Sequence, residues 1–295
     1  MNYSGILCVY KESGCTSRDV VNRVCKILNT KKVGHTGTLD PLACGVLVLG
    51  VNDGTKLIEL ITSYNKEYVA RVRLGMLTDT LDITGKIVDK CMCNNITIKM
   101  IDDVLNSFVG TYEQEVPIYS AVKINGKKLY DYARENQQID LPKRNVTIYS
   151  IERISDVDYS NNYIEFDIKC VVSKGTYIRS LIRDIGEQLN NFATMVSLKR
   201  TIQGDFSLSD CYTIDQIENN NYRLFSIEDV LKNYKHIVIN ENLEKLIYNG
   251  ALIDNIYDDN EVLFVNDSFE AVALYKVYDK DKTKMKPWKM FKTIA

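Results

Sequence analysis

Histidine is nearly missing from this chain: two of 295 residues, His35 and His236. None of the eight cysteines forms a C-x-x-C pair. The only close pair, Cys91-Met92-Cys93, has no histidine nearby, so the ligand spacing of a zinc site is lacking and no metal is expected. The thiols read as reduced, small apolar residues. No apolar run approaches the roughly 18 residues needed to span a bilayer. Met1-Asn2-Tyr3-Ser4-Gly5 lacks the basic start and apolar core of a secretory signal, and a cytoplasmic location is the expectation. Internal repeats and low-complexity tracts are absent. So is an excess of positive charge, since 37 Lys and Arg stand against 39 Asp and Glu for a net of -2. That argues against a uniformly basic nucleic-acid binder.

What is present fits a globular protein, with 45% hydrophobic and 26% charged residues. A length of 295 allows one large domain and a small one, with a boundary expected near Tyr234-Lys235-His236. Charge is unevenly placed. Residues 11–32 hold six bases against two acids, residues 276–292 seven lysines against two acids, and residues 254–270 six acids and no base. Such patches suit RNA phosphates, and equally an ordinary solvated face.

The sharpest stretch is Gly34-His35-Thr36-Gly37-Thr38-Leu39-Asp40-Pro41-Leu42-Ala43-Cys44-Gly45. Its three glycines mark a backbone that turns tightly or approaches a ligand, which argues against a helix. Asp40 precedes Pro41, whose ring pushes the residue before it into an extended conformation, so the carboxylate sits on a stiff stub. Residues 46–51, aliphatic and bounded by glycine, read as a buried strand. A carboxylate on a shaped loop against a rigid strand is a candidate for chemistry. An Asx-type turn, in which Asp40 bonds only local amides, is the alternative.

Periodicity supplies the frame. Residues 6–10 read as a strand and residues 16–28 as a helix capped by Thr16 or Ser17. A short helical piece is expected at 55–61. Residues 68–74 alternate as a half-buried strand with Tyr68 on the inward set, either a core tyrosine or a ring for a ligand. A polar turn at 77–85, a strand at 86–89 and an amphipathic helix at 97–108 follow. Asn125-Gly126 signals a type I′ hairpin. Lys127, Lys128, Tyr130, Tyr132 and Arg134 then suit either RNA stacking or a surface helix with its tyrosines packed inward. Residues 143–154 and 163–173 read as a strand pair, and a turn at Gly175 leads into a helix at 180–189. Arg179 falls in that helix's first turn, where the dipole disfavours a cation, so an anionic partner is expected, Asp40 or a phosphate. Residues 195–200 read as a strand. Residues 237–239, 262–265 and 271–275 have the spacing of a small β-barrel.

Four stretches together resemble the bacterial tRNA pseudouridine-55 synthase family (TruB): Gly34 to Pro41, Lys66-Glu67-Tyr68, Tyr119-Ser120-Ala121-Val122-Lys123 with Gly126-Lys127-Lys128-Leu129-Tyr130, and Lys174-Gly175-Thr176-Tyr177-Ile178-Arg179. They occur in the family's order, and the similarity covers residues 3 to about 235. The resemblance implies an α+β fold, a mixed and mainly antiparallel sheet flanked by helices. It implies a catalytic domain over 1–235 and a PUA-like RNA-binding barrel over 236–295. The implied reaction converts a uridine in the T loop of tRNA to pseudouridine, by a cytoplasmic monomer that needs neither cofactor nor metal. Carried over by position, Asp40 becomes the catalytic aspartate, Arg179 its ion-pair partner and Tyr68 the ring against the target base. His35, Tyr177, Leu198 and Lys11 become substrate-contacting residues.

These roles are chemically coherent. A carboxylate can act as nucleophile or base, and an opposite charge within a few ångströms favours its charged form. The target base must leave its stack to be reached, which calls for an aromatic surface and an apolar wall. Two other readings stay open. One is a non-catalytic tRNA-binding or folding protein that uses the same cleft. The other, a carboxylate-dependent nucleoside hydrolase, is disfavoured because no second acid accompanies Asp40 in its loop.

Overall fold

The structure, a computed structural model, describes residues 4–135, 137–159 and 163–293. The first three and last two residues of the expected domain ranges lie outside it. One nine-stranded sheet dominates. From one edge to the other its main path runs Gly5–Lys11, Cys44–Val51, Ala193–Gln203, Lys66–Leu74, Ile164–Val172, Lys143–Arg153 and Gly110–Glu115. Val33–His35 pairs with Cys44–Val51, and Phe206–Ser207 with Ala193–Gln203. Every pairing is antiparallel except one: Cys44–Val51 and Ala193–Gln203 run parallel where Cys44 meets Lys199 and Gly45 meets Arg200. This is the mixed, mainly antiparallel sheet expected.

The strands differ in pattern because their faces differ in cover. Lys66–Leu74 alternates, burying Lys66, Tyr68, Ala70, Val72 and Leu74. Its buried face packs with Ile178–Gln188 and Ile98–Ser107, which contribute Leu181, Ile182 and Ile185, and Ile101 and Leu105. Gly5–Lys11 and Cys44–Val51 instead bury both faces, hence their unbroken apolar runs. Leu7, Val9, Leu47 and Leu49 meet Val20, Val21 and Val24 of the helix Ser17–Ile27. On the other face Ile6, Cys8, Val46 and Val48 share a cluster with Leu60 and Ile61, and with Leu263, Val265 and Leu274 from the C-terminal sheet.

That second sheet has five strands, ordered Lys235–Val238, Glu261–Val265, Ala271–Tyr278, Asp281–Met290, Ile253–Asp254. It curls into half a barrel. Among the described residues no pairing joins its two outer strands, so the expected barrel is open. The helix Glu241–Tyr248 sends Ile247 into its core. The acid-rich stretch and the lysine-rich end, separate in sequence, meet here, Lys284 pairing with Asp254 and Lys292 with Glu270, while Lys282 and Lys286 pair with Asp279 inside the lysine-rich end itself. The positive charge expected to face RNA is thus partly met by the sheet's own carboxylates. No helix among the described residues is long and apolar enough to cross a membrane.

Candidate active site

The loop at 36–43 is pinned from several sides through its backbone. Ser17 Oγ accepts from the Leu39 amide at 2.8 Å and donates to its carbonyl at 3.1 Å. Gln203 Nε2 donates to Thr36 Oγ1 at 2.8 Å, and Arg200 Nη2 to the Gly37 carbonyl at 3.1 Å. Gly45, at φ +105°, lies so close to the parallel strand that a Cβ would stand 2.2 Å from the Arg200 carbonyl oxygen. Only glycine permits that approach.

Lys11, expected among the substrate contacts, is turned inward against the loop. Its side chain is fully buried, and its ammonium donates to the Ala43 carbonyl at 2.7 Å, to Glu12 at 3.0 Å and to Pro41 at 3.4 Å. An ammonium with its donors spent on three carbonyls braces the loop and has no N–H left to offer a ligand.

Asp40 does not make the local Asx turn. Its carboxylate faces Arg179 in a fork, Nε to Oδ2 at 2.8 Å and Nη2 to Oδ1 at 3.1 Å. Arg179 is 5% exposed, and it also donates to the carbonyls of Thr80 and Tyr119 at 3.0 Å each. A planar guanidinium suits this task because its donors diverge at fixed angles. The Arg179 helix, Ile178–Gln188, begins two residues before the expected start, with Tyr177 at its N-cap.

Asp40, Tyr68, Tyr177, Arg179 and Leu198 line one cleft of about 210 Å³. That is below the roughly 300–1,000 Å³ of sites that enclose a whole drug-sized ligand. The space suits one inserted ring with the rest of the ligand outside. Tyr68 and Leu198 are nearly buried and give it an aromatic and an aliphatic wall. His35 is placed beside the cleft, one residue before its first lining residue. Its Nδ1 is buried without a hydrogen-bond partner, and burial, with Arg18 and Arg200 nearby, lowers its pKa.

Three lining cations were not foreseen as site residues: Arg200, Lys66 and Lys174. Arg200 is 1% exposed and follows Leu198 by two residues, so the strand period that turns Leu198 into the cleft turns Arg200 the same way. Lys66 precedes Tyr68 by two on the same inward set and donates to the carbonyls of Tyr64 at 2.6 Å and Thr62 at 2.7 Å. Burial, then the nearby charges of Arg200 and Lys174, push its ammonium down to about 8. The aromatic and basic stretch at 127–134 folds on itself. Lys127 lies over the Tyr132 ring and Arg134 over Tyr130, at 4.6 and 5.1 Å, with both tyrosines half-buried.

The fold recurs in a chain of a solved Cbf5–Nop10–Gar1 complex, with a TM-score of 0.69 and 25% identity over 98% of this chain and 85% of that one. Residues 25–178 match the N-terminal domain of the TruB family pseudouridylate synthases, and residues 179–246 match the tRNA pseudouridylate synthase B C-terminal domain. The tRNA pseudouridine synthase B of Staphylococcus saprophyticus is 41% identical over 98% of this chain and 99% of its own length. That of Staphylococcus aureus MSSA476 is equally similar, 41% over 98% and 99%. The chain belongs to the TruB family of pseudouridylate synthases.

Proposed function

We propose that this protein isomerises the uridine at position 55, in the T loop of tRNA, to pseudouridine, with Asp40 as the catalytic group. The observation that carries the reading is the Asp40–Arg179 fork in a ring-sized cleft walled by Tyr68 and Leu198. The reaction breaks the bond from the ribose anomeric carbon to N1 of uracil and makes one to C5. N1 gains a proton and C5 loses one, so no electrons are exchanged and no redox cofactor is called for. A carboxylate serves such a sequence as nucleophile or as base. Tyr68 and Leu198 would grip the flipped base and Arg179 would hold the carboxylate in line. In the same reading residues 1–235 form the catalytic unit and 236–295 a PUA-like RNA-binding unit of a cytoplasmic monomer.

The test is tritium release from a tRNA transcript carrying uridine labelled at C5, with wild type and Asp40→Asn in parallel. Release by the wild type, and none from a variant that still binds tRNA, is the expected result. A folded wild type that binds tRNA and releases nothing would leave the non-catalytic binder as the better reading.

A further inference from the structure

Arg179 leaves its helix in the first turn, and that helix has no side-chain cap of its own. Its start is held from outside. Gln114, on the edge strand Gly110–Glu115, is fully buried. Its Oε1 accepts from the Tyr177 amide at 2.8 Å and its Nε2 donates to the Tyr177 carbonyl at 3.1 Å. The same nitrogen donates to Tyr112 Oη at 2.6 Å, and Tyr112 donates to Asp184 at 3.2 Å. Asp184 is held in turn by Arg183, at 2.7 and 3.0 Å. The carboxamide orientation follows from these partners, because only the oxygen can accept the Tyr177 N–H.

We propose that Gln114 is a positioning residue for the reaction: by gripping both backbone groups of Tyr177 it sets the angle at which Arg179, two residues on, presents its fork to Asp40. The proposal rests on Asp40 and Arg179 working as assigned above. Buried, with each polar atom of its carboxamide engaged, Gln114 is as costly to leave half-paired as any group near the cleft. It touches neither the cleft nor the ligand space, so its effect passes through Tyr177 and Arg179.

The experiment compares Gln114→Met, Gln114→Glu, Arg179→Lys and the double variant Gln114→Met/Arg179→Lys by turnover on a tRNA transcript, with Asp40→Asn alongside. Displacing a reacting group by about 1 Å costs on the order of a hundredfold, so kcat of folded Gln114→Met should fall by about tenfold to a hundredfold. KM should stay within about threefold, since Gln114 itself lines none of the cleft and holds the Tyr177 backbone rather than its ring. In the Arg179→Lys background the same substitution should cost less than about threefold, because the group it positions is already gone. Wild-type kcat in folded Gln114→Met, or full additivity in the double variant, overturns the proposal. Should Gln114→Met not fold, Gln114→Glu decides: it keeps the size and the acceptor but loses both donors, and wild-type turnover by it overturns the proposal equally. Persistent turnover by Asp40→Asn would instead sink the catalytic reading and leave that failure distinguishable.

Discussion

Replacing Arg179 by lysine keeps the charge and removes the fork, and the structure says what that costs. Arg179 satisfies two oxygens of Asp40 and the carbonyls of Thr80 and Tyr119. One ammonium on a shorter reach can serve only part of this set. Each carbonyl left without a donor in a buried setting costs about 1 kcal/mol or more. The loss at Asp40 is smaller than for a fully buried pair, because its side chain is 36% exposed and water can replace part of the interaction. Together these give about 3 kcal/mol, which in a domain of this size lowers Tm by roughly 6–12 °C. Turnover should fall by about a hundredfold, because the carboxylate is no longer held in line. Calorimetric melting and tritium release, measured on the same preparation, check both. Asp40→Asn gives the contrast: it keeps an oxygen for Arg179, so stability should change by only about 1 kcal/mol while chemistry is lost. If Arg179→Lys melted and turned over like the wild type, the fork would be neither a structural nor a chemical requirement, and the reasoning would fail.

Gly45→Ala should cost at least about 2 kcal/mol, since the new Cβ meets the Arg200 backbone at a positive φ; an unchanged melting temperature would refute the close approach. Lys66 gives a pH signature. Folding holds its ammonium down at about 8, whereas the unfolded chain keeps that proton to about pH 10.4. Unfolding therefore takes up a proton between those values, and the Lys66 contribution to stability rises with pH across the window. Denaturant titrations of Lys66→Met between pH 7 and 10 should lose that rise, and an unchanged slope contradicts the burial argument. Removing residues 236–295 strips Leu263, Val265 and Leu274 from Leu60, Ile61 and their neighbours. The loss should be on the order of 5 kcal/mol, read as a lower melting temperature. A truncated chain as stable as the whole would show that the shared cluster contributes little.

Legibility from the sequence followed how local the cause was. Residues 46–51 announced a buried strand because both faces of that strand are covered, and Asn125 and Gly126 announced their hairpin because both take the positive φ it demands, 49° and 81°. Arg179 advertised an anionic partner through its position at a helix start, and the structure supplies Asp40. By contrast the strand Gly110–Glu115 escaped notice, since its sequence is polar and its one fully buried side chain, Gln114, is satisfied by a residue 63 positions away. Lys11 shows the same limit in reverse: the sequence declares its charge, but two of the three carbonyls that hold it, those of Pro41 and Ala43, belong to a loop some 30 residues away. The strands Ile253–Asp254 and Asp281–Met290 and the helix Glu241–Tyr248 also went unread, being short or lysine-rich.

The strand Ala193–Gln203 lies between Cys44–Val51 and Lys66–Leu74, and it carries Leu198 and Arg200 into the cleft. The cleft must wait for it, although Gly5–Lys11 and Cys44–Val51 can already pair. A ribosome adding about 5–20 residues per second needs roughly 8–30 s to go from Asp40 to Gln203. During that interval the nascent chain owns its carboxylate but no cleft, and two strand edges stand open where the third will enter. A chain cut short before Gln203 thus bears the Asp40 loop yet lacks the strand that completes the pocket around it.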